Sequence, residues 1–424
     1  MAYPKMSMIS QPLYSAPIKD IPMAVDRAID GLKLRGKLPQ GSRVAITAGS
    51  RGVANIALIV RTVVEHVRDL GWEPFVVPTM GSHGGATAEG QVEVLAGYGI
   101  TEEYIGAPIR SSMEVVQLGT TEDGIPVYLD KYASEADATI VVNRVKKHTD
   151  FSGTTESGLM KMMVIGLGKH KQALTIHSYG TYGLRVLLPP VARMIIEKAP
   201  VLFGLAVLED GFEQTTEVHA IAPQDIEKTE MELLKKANSY MGRLPVDEID
   251  LLLVDRMGKD ISGSGMDTNV IGRMAIRGEP EFERPRVRWL AVFDLTEEAH
   301  GNAAGLGLAD FTVKRLVDKI DMHAFRANVI TSGFPERGKI PLTMDTDREV
   351  VDLAFRLMGG IAPAQARVLR IWDTLHVSHM LVSEPLLDEL RGRGGFKILS
   401  EPRELSFTPD GGLEPIDWAF WIRH

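Results

Sequence analysis

Residues Arg43–Thr47 (RVAIT), the loop Ala48–Val53 (AGSRGV) and the pattern after it form the stretch of sequence that decides the fold. The short apolar run predicts a buried strand. Apolar residues then recur at intervals of three and four from Ile56 to Leu70, which predicts an amphipathic helix that ends at Gly71. A strand, a loop and a covering helix in this order are typical of α/β proteins, so we expect a parallel sheet.

The same order recurs along the chain. The predicted strand Pro74–Pro78 is followed by the loop Thr79–Ala86 and by a predicted helix over Thr87–Tyr98. Further strands are predicted at Ile125–Leu129, Thr139–Asn143, Phe203–Leu208, Ile249–Asp255, Arg288–Leu295 and Val368–Trp372, and further helices near Asp310–Ile320 and Asp347–Met358. The predicted fold class is α/β, with two domains of mainly parallel, helix-covered sheets. Loops that carry chemistry should lie at the carboxyl ends of the strands.

The domain boundaries are predicted from composition, which changes little along the chain. A glycine-rich stretch, Gly258–Gly272, and a stretch rich in Pro, Arg and Glu, Gly278–Arg288, are the best candidates for a junction. We therefore expect an N-terminal catalytic and cofactor-binding domain over residues 1–257 and a C-terminal α/β domain over residues 258–400. Residues 401–424 are expected to form a tail that packs back on the N-terminal domain, and the active site is expected in the cleft between the domains.

The composition excludes several classes of protein. The 424 residues include 47 basic and 56 acidic ones, a formal net charge of −9, which argues against a general nucleic-acid binder. Cysteine is absent, which rules out disulfides, cysteine-bound zinc, protein-bound iron–sulfur clusters and a thiolate nucleophile. No apolar run is long enough for a membrane helix, and residues Met1–Leu13 contain no signal-peptide core, so we expect a cytoplasmic protein without membrane partners.

Two loops at the predicted sheet edge contain residues suited to anions and to proton transfer. In the first loop, Thr47, Gly49 and Ser50 would allow the backbone to approach an anion, and Arg51 would offer a planar fork to a carboxylate or phosphate. A simple turn with a surface arginine is the alternative. In the second loop, His83 stands among small residues, so it is either a general acid/base or an ordinary surface histidine.

A third segment contains the most informative residues. Asn143–Asp150 (NRVKKHTD) follows a predicted strand and includes His148. The apolar run Ser157–Gly168 is interrupted only by Lys161, which must either extend its charge to solvent or act as a nucleophile with a lowered pKa. The triplet Lys169-His170-Lys171 that follows reads as a solvated surface turn.

The order of these features resembles the nickel-pincer-dependent lactate racemases and their relatives. The resemblance covers most of the N-terminal half: an arginine loop, a Gly-Ser-His loop, a histidine after a strand, and a lysine in an apolar run. Sixteen positions separate Lys161 from His177, as in the lysine and metal-binding histidine of that family. The resemblance implies a nickel-pincer nucleotide (pyridinium-3,5-bisthiocarboxylic acid mononucleotide nickel) that is covalently attached to Lys161 and whose metal is bound by His177.

The resemblance also implies an activity. His83 and His148 would be the two acid/base histidines, Arg51 would hold the substrate carboxylate, and Thr47, Gly49 and Ser50 would line the cofactor. The protein would racemise or epimerise a 2-hydroxy acid by proton-coupled hydride transfer to and from the cofactor, which other proteins would synthesise. Where lactate enzymes have a glutamine and a lysine that engage the substrate, this chain reads Val270–Arg273. Arg273 is therefore a candidate substrate ligand, and the particular hydroxy acid stays open.

Two other functions remain alternatives on the sequence. One is a non-catalytic protein that binds a hydroxy acid or a nucleotide. The other is a hydrolase or lyase with a metal held by His83, His148 and His177, although these residues lack the spacing of a known metal motif. His376 and His379, in the strand-like run LHVSHMLV, are expected to be structural.

Overall fold

The computed structural model describes residues 3–50 and 52–423, so Arg51 lies outside the described residues. Within them the strands are β1 (Lys5–Ser10), β2 (Arg43–Ala48), β3 (Glu73–Pro78), β4 (Val115–Thr120), β5 (Pro126–Asp130), β6 (Ala138–Arg144), β7 (Val201–Glu209), β8 (Thr215–Ile221), β9 (Glu248–Val254), β10 (Arg286–Val292), β11 (Phe311–Val313), β12 (Leu342–Met344), β13 (Val368–Ile371), β14 (His379–Ser383), β15 (Lys397–Ile398) and β16 (Arg403–Glu404).

The helices of the same residues include two π-helical turns, Met162–Leu167 and Gly183–Leu187. The α-helices are α1 (Ile21–Asp30), α2 (Ile56–Asp69), α3 (Ala88–Gly97), α4 (Glu102–Ile105), α5 (Lys131–Ser134), α6 (Leu159–Lys161), α7 (Lys169–His177), α8 (Gly180–Tyr182), α9 (Leu188–Lys198), α10 (Ile226–Tyr240), α11 (Thr268–Ile271), α12 (Lys314–Asp318), α13 (Met322–Ser332), α14 (Asp347–Leu357), α15 (Glu384–Arg391) and α16 (Trp418–Arg423).

The chain divides into two compact units, and the first comprises Tyr14–Met241. Its main sheet has the strand order β3-β2-β6-β7-β8, in which only β8 runs antiparallel to its neighbour, and β4 and β5 form a separate hairpin. Alternate residues of β2 enter different cores, Ala45 on one face and Val44 and Ile46 on the other. Because both faces are covered, the strand is apolar throughout, as expected of a parallel sheet.

The second unit comprises residues 3–13 and 242–423 of the described chain. Its large sheet has the order β12-β11-β10-β9-β13-β14-β1-β15, with β16 also paired to β1. The strands from β12 to β13 are parallel, and β14, β1, β15 and β16 join by antiparallel pairing. Both units are therefore α/β, which confirms the predicted fold class.

The observed division differs from the predicted domain boundaries. It falls between Met241 and Gly242, not after residue 257, so β9 belongs to the second unit. The N-terminal strand and the C-terminal tail also belong there, since Met6 pairs with both Ser383 and Arg403. Composition could not show this, because antiparallel pairing joins strands that are nearly the whole chain apart.

Most predicted elements are present with small shifts at their ends. The predicted helix near Asp310–Ile320 is instead the short strand β11 followed by α12, and the predicted strand Ile125–Leu129 is β5 of the hairpin. No helix in residues 3–50 and 52–423 has the length and apolar character needed to cross a membrane.

Candidate active site

Three loops of the first unit leave the sheet at the same edge. They follow β2, β3 and β6, which run parallel and carry the Gly49–Ser50, His83 and His148 segments at their carboxyl ends. Parallel strands place these loops side by side, as the sequence predicts. The chain after the third loop is helical and contains Lys161 and His177.

Close backbone contacts fix the first two loops against this helical segment. A Cβ on Gly49 would lie 2.7 Å from Cε of Met162, the residue after Lys161. A Cβ on Gly81 would lie 2.9 Å from Cβ of Ala173, one turn before His177. A side chain at Gly81 would meet the Cβ of Ala173, which cannot move without its backbone, whereas one at Gly49 would have to displace the flexible end of Met162. The glycines therefore position the loops, in addition to any contact with a ligand.

Lys161 and His148 are in direct contact at this edge. Nζ of Lys161 bonds to Nε2 of His148, and Nδ1 of His148 accepts the backbone N–H of Asp150 at 3.0 Å. Since Nδ1 is an acceptor, the neutral imidazole carries its proton on Nε2, which faces the amine. The amine of Lys161 is thus held beside an imidazole, and the unprotonated form of a lysine amine is the nucleophilic one.

The loop that carries His148 is held by one buried carboxylate. Oε2 of Glu156 accepts the backbone N–H of His148 at 2.7 Å, and Oε1 pairs with Nζ of Lys147 at 2.5 Å and with the N–H of Gly153 at 3.0 Å. Phe151 is fully buried and its ring centroid lies 4.7 Å from that of His148. The histidine therefore has little freedom to reorient.

His177 is neutral across the physiological pH range. Burial lowers the pKa of His177 from 6.5 to about 4; the charge of Lys161 in its protonated form acts in the same direction, and Asp150 opposes it. These influences show that His177 lies near Lys161 and Asp150. A neutral imidazole is the form that ligates metals, so His177 suits the role predicted for it.

His83 lies on the second loop with its side chain exposed. Its Nδ1 and Oγ of Ser50 are 3.1 Å apart, and the backbone carbonyl of Ser50 accepts the Tyr98 hydroxyl at 3.1 Å. The first and second loops are thus joined through Ser50. An exposed histidine that shares a hydrogen bond with a hydroxyl is suited to proton exchange.

Lys169 is wholly buried, so its predicted place in a solvated turn is wrong. Its backbone is left-handed, with φ of 55°, and the side chain enters the unit. Nζ donates to the carbonyl of Pro78 and to Oε1 of Gln91 at 3.0 Å, and it lies 3.4 Å from Oδ2 of buried Asp130. Burial lowers the pKa of Lys169 and raises that of Asp130, and the attraction between them opposes both shifts.

The buried pair is connected to the His83 loop through Gln91. Nε2 of Gln91 donates to the carbonyls of Met80 at 3.0 Å and Gly81 at 3.2 Å, just before His83. With the Lys169 bond to Pro78, these contacts hold the chain at both the end of β3 and the start of the loop. Lys169 is therefore a structural support of the site.

Glu230 of α10 closes the start of the helix that carries Lys161. Its Oε2 accepts the backbone N–H of Met160 at 2.9 Å, while Oε1 bonds to no group in the part of the chain that the structure describes. A Cβ on Gly158 would lie 2.4 Å from the carboxyl carbon, so glycine is required there. Burial raises the pKa of Glu230 from 4.5 to about 7, against the effect of the amide bonds.

Two predicted ligand residues have structural contacts instead. Thr47 is fully buried, and its hydroxyl accepts the N–H of Val142 at 2.8 Å within the sheet, so the predicted approach to an anion would use its backbone. Arg273, in the second unit, donates to the carbonyls of Leu308 and Val287 at 3.0 Å each, and it pairs with Asp310 at 2.7 Å. These contacts occupy the guanidinium that was predicted to hold substrate. Nothing can be added for Arg51, which lies outside the described residues.

Glu156, Glu230 and Asp130 were not predicted from the sequence. Glu156 lies eight positions after His148, and its only signal is an acidic residue in a loop otherwise rich in Gly and Thr. Glu230 and Asp130 come from distant parts of the chain, and neither has a local pattern that marks it as buried.

The donor set shows what kind of metal centre the site can support. Among residues 3–50 and 52–423, no three His, Asp or Glu side chains lie close enough together to hold an ion. His177 could supply one ligand, so a resident metal needs its other ligands from a bound group. A metal-carrying cofactor that needs one protein ligand fits this donor set.

The fold and this edge define an α/β protein with a lysine and two histidines brought together at the carboxyl ends of parallel strands. Residues 8–183 match the family model of the lactate racemase N-terminal domain, so this part of the chain is similar to that domain.

One solved structure with a TM-score above 0.5 resembles the chain in fold. The lactate racemase apoprotein from Thermoanaerobacterium thermosaccharolyticum matches with a TM-score of 0.52 at 14% identity, over 85% of this chain and 93% of that one. A structural-genomics protein from Thermotoga maritima matches with a TM-score of 0.47 at 13% identity, over 66% of this chain and 72% of that one. No curated protein matches the sequence.

Proposed function

We propose that the protein racemises or epimerises a 2-hydroxy acid with a nickel-pincer nucleotide attached to Lys161. The observation that carries the proposal is the meeting of Lys161, His148 and His177 at one sheet edge. The match of residues 8–183 to the lactate racemase N-terminal domain supports the class of reaction. A single candidate metal ligand, His177, fits a cofactor that brings its own other ligands. The 2-hydroxy acid and the proteins that synthesise the cofactor are the partners we expect.

Lys161 and His177 are the residues that would hold the cofactor. Lys161, whose Nζ bonds to Nε2 of His148, would hold the cofactor through its amine nitrogen, which is nucleophilic in its unprotonated form. His177 would bind the metal through a neutral imidazole without first losing a proton. The chemistry that the cofactor supplies when bound is the acceptance and return of the α-hydrogen as a hydride.

The histidines would move the hydroxyl proton. Removal of a hydride from Cα requires that the hydroxyl lose its proton at the same time, which gives a 2-keto acid. A neutral imidazole can accept that proton and return it when the hydride comes back to the other face. Inversion needs such a group on each side of the carbon, and His148 and His83, on different loops, are the two candidates. Arg51 is the candidate that would fix the carboxylate.

Intact-mass measurement tests the attachment directly. The full chain is co-expressed with the cofactor-synthesis proteins, and we expect a mass increase that is absent from Lys161→Ala. Lys171→Ala is the matched control, because Lys171 is exposed on the same segment and should keep the modification. A chain that is fully active with an unmodified Lys161 would overturn the covalent role.

Isotope exchange tests the reaction. The modified protein is given single enantiomers of several 2-hydroxy acids deuterated at Cα, and we expect racemisation of at least one with the deuterium retained. Extensive replacement by solvent hydrogen would contradict the hydride route. Binding of hydroxy acids without any inversion across the panel would favour the non-catalytic alternative.

A further inference from the structure

The strand order of the large sheet in the second unit reverses between β9 and β13. From β9 the chain adds β10, β11 and β12 successively on one side, and it then returns to place β13 on the other side of β9. All five strands are parallel. In open α/β sheets a crevice forms outside the carboxyl ends of the strands at such a reversal, and ligands bind there.

The residues at this reversal form an organised polar cluster. Arg256 follows β9, and Trp372 and Asp373 follow β13; the N–H of Arg256 donates to the carbonyl of Trp372 at 3.0 Å. Asp373 is fully buried, and its Oδ2 accepts hydrogen bonds from Nε and Nη2 of Arg256 at 3.0 and 2.9 Å. The other oxygen, Oδ1, accepts Nδ1 of His376 at 2.8 Å.

The two side chains that Asp373 holds are also stacked on one ring. The guanidinium carbon of Arg256 lies 3.6 Å from the centroid of Trp372, and the His376 ring centroid lies 4.8 Å from it. Although burial opposes it, the bonds from His376 and the Arg256 charge hold the pKa of Asp373 below its ordinary value. Asp373 is thus an anion that fixes two groups whose outer atoms remain partly exposed.

The outer atoms have complementary chemistry. Within residues 3–50 and 52–423, Nη1 of Arg256 and Nε2 of His376 have no hydrogen-bond partner, and the side chains are 28% and 33% exposed. Because Nδ1–H donates to Asp373, neutral His376 presents a lone pair at Nε2. A cation and a hydrogen-bond acceptor are therefore offered together, supported by a buried carboxylate as in an Asp–His dyad.

We propose that Arg256 and His376 form a binding site for a small oxyanion that also carries a hydroxyl, either a hydroxy-carboxylate or a phosphate. The oxyanion accepts from Nη1 of Arg256, and the hydroxyl donates to Nε2 of His376. Asp373 and Trp372 are positioning residues. The site needs only residues of the second unit, so the inference does not depend on the proposed racemase activity.

The test follows the NMR signals of the His376 ring in the cofactor-free full chain. These signals are assigned by their loss in His376→Asn. We expect glycolate to move the His376 signals saturably and to bind several-fold more tightly than acetate, which lacks the hydroxyl. Inorganic phosphate is titrated in parallel. The anion that binds more tightly shows whether the site takes a hydroxy-carboxylate or a phosphate. The site is refuted if neither glycolate nor phosphate moves the His376 signals in a saturable way.

Variants separate the roles of the two side chains. Arg256→Gln should weaken binding at least tenfold, because it removes a charge-assisted hydrogen bond, while Arg256→Lys should retain part of the affinity. His376→Asn can still donate to Asp373, and calorimetry should show that it no longer prefers glycolate to acetate. Arg286→Gln is the matched control at the amino end of β10, and its affinity should be unchanged. If correctly folded Arg256→Gln binds glycolate or phosphate as tightly as the wild type does, the proposal is also overturned.

Discussion

The buried pair of Lys169 and Asp130 offers the sharpest test of how the candidate site is supported. Both side chains are 0% exposed, and Lys169 also bonds to Gln91 and to the carbonyl of Pro78. Lys169→Met preserves the length and apolar stem of the side chain but removes its charge and its donors. Asp130 is then left as a buried group without its cation.

Removing one member of a buried ion pair costs about 3–5 kcal/mol, because the remaining charge has lost its compensation. We therefore expect Lys169→Met to lower the free energy of unfolding of the first unit by about that amount. Lys171→Met is the matched control: its ammonium is exposed and lies 4.3 Å from the Tyr128 ring centroid, so the loss should stay near 0.5–1 kcal/mol.

Urea unfolding followed by far-ultraviolet circular dichroism measures the difference as a shift in midpoint at unchanged slope. The double variant Lys169→Met/Asp130→Asn removes both charges, and it should be more stable than Lys169→Met alone. If Lys169→Met unfolds at the same urea concentration as Lys171→Met, the pair does not stabilise the unit and the reasoning is refuted.

Two predictions concern the dependence of stability on pH. The pKa of Glu230 is about 7 in the native state and 4.5 in the unfolded state. Because the unfolded carboxyl loses its proton first as pH rises, the contribution of Glu230 to the free energy of unfolding falls by about 3 kcal/mol between pH 4.5 and 7. Glu230→Gln should remove this loss in urea titrations across that range, and an unchanged profile would contradict the burial assigned to the carboxyl. The pKa of His177 is about 4 in the native state and 6.5 in the unfolded state. Because only the unfolded imidazole binds a proton between these values, the contribution of His177 to the free energy of unfolding rises by about 3 kcal/mol as pH rises from 4 to 6.5. His177→Asn should lack this rise, and identical pH profiles for variant and wild type would show that the imidazole is solvated.

The predictable part of the structure came from patterns within single segments. The strand and loop containing Arg43–Thr47, and the helix after them, are local, and parallel pairing then places the three loops at one edge. His148, Lys161 and His177 could be proposed because their order along the chain carries the family resemblance. Their contacts agree with that order.

The unpredicted part depends on contacts between distant segments. Lys169 stands in a polar triplet, and only the left-handed turn of its backbone sends the side chain inward to Asp130. Thr47 and Arg273 looked available for ligands because a sequence does not show which hydroxyl or guanidinium is already bonded. The domain boundary was misplaced for a similar reason, since β1 near the start of the chain pairs with β14 and β16 near its end.

The left-handed backbone of Lys169 has a consequence for the spacing between Lys161 and His177. Sixteen residues of uninterrupted α-helix would separate the two by about 24 Å along the axis. A π-helical turn, a glycine at 168 and the bend at Lys169 fold the segment back, so that the lysine charge reaches the histidine. The spacing of sixteen residues therefore depends on a bend in the chain between Lys161 and His177, a corner at Lys169. One inserted residue on either side of that corner would rotate Lys161 or His177 away from the other, even if both residues were retained.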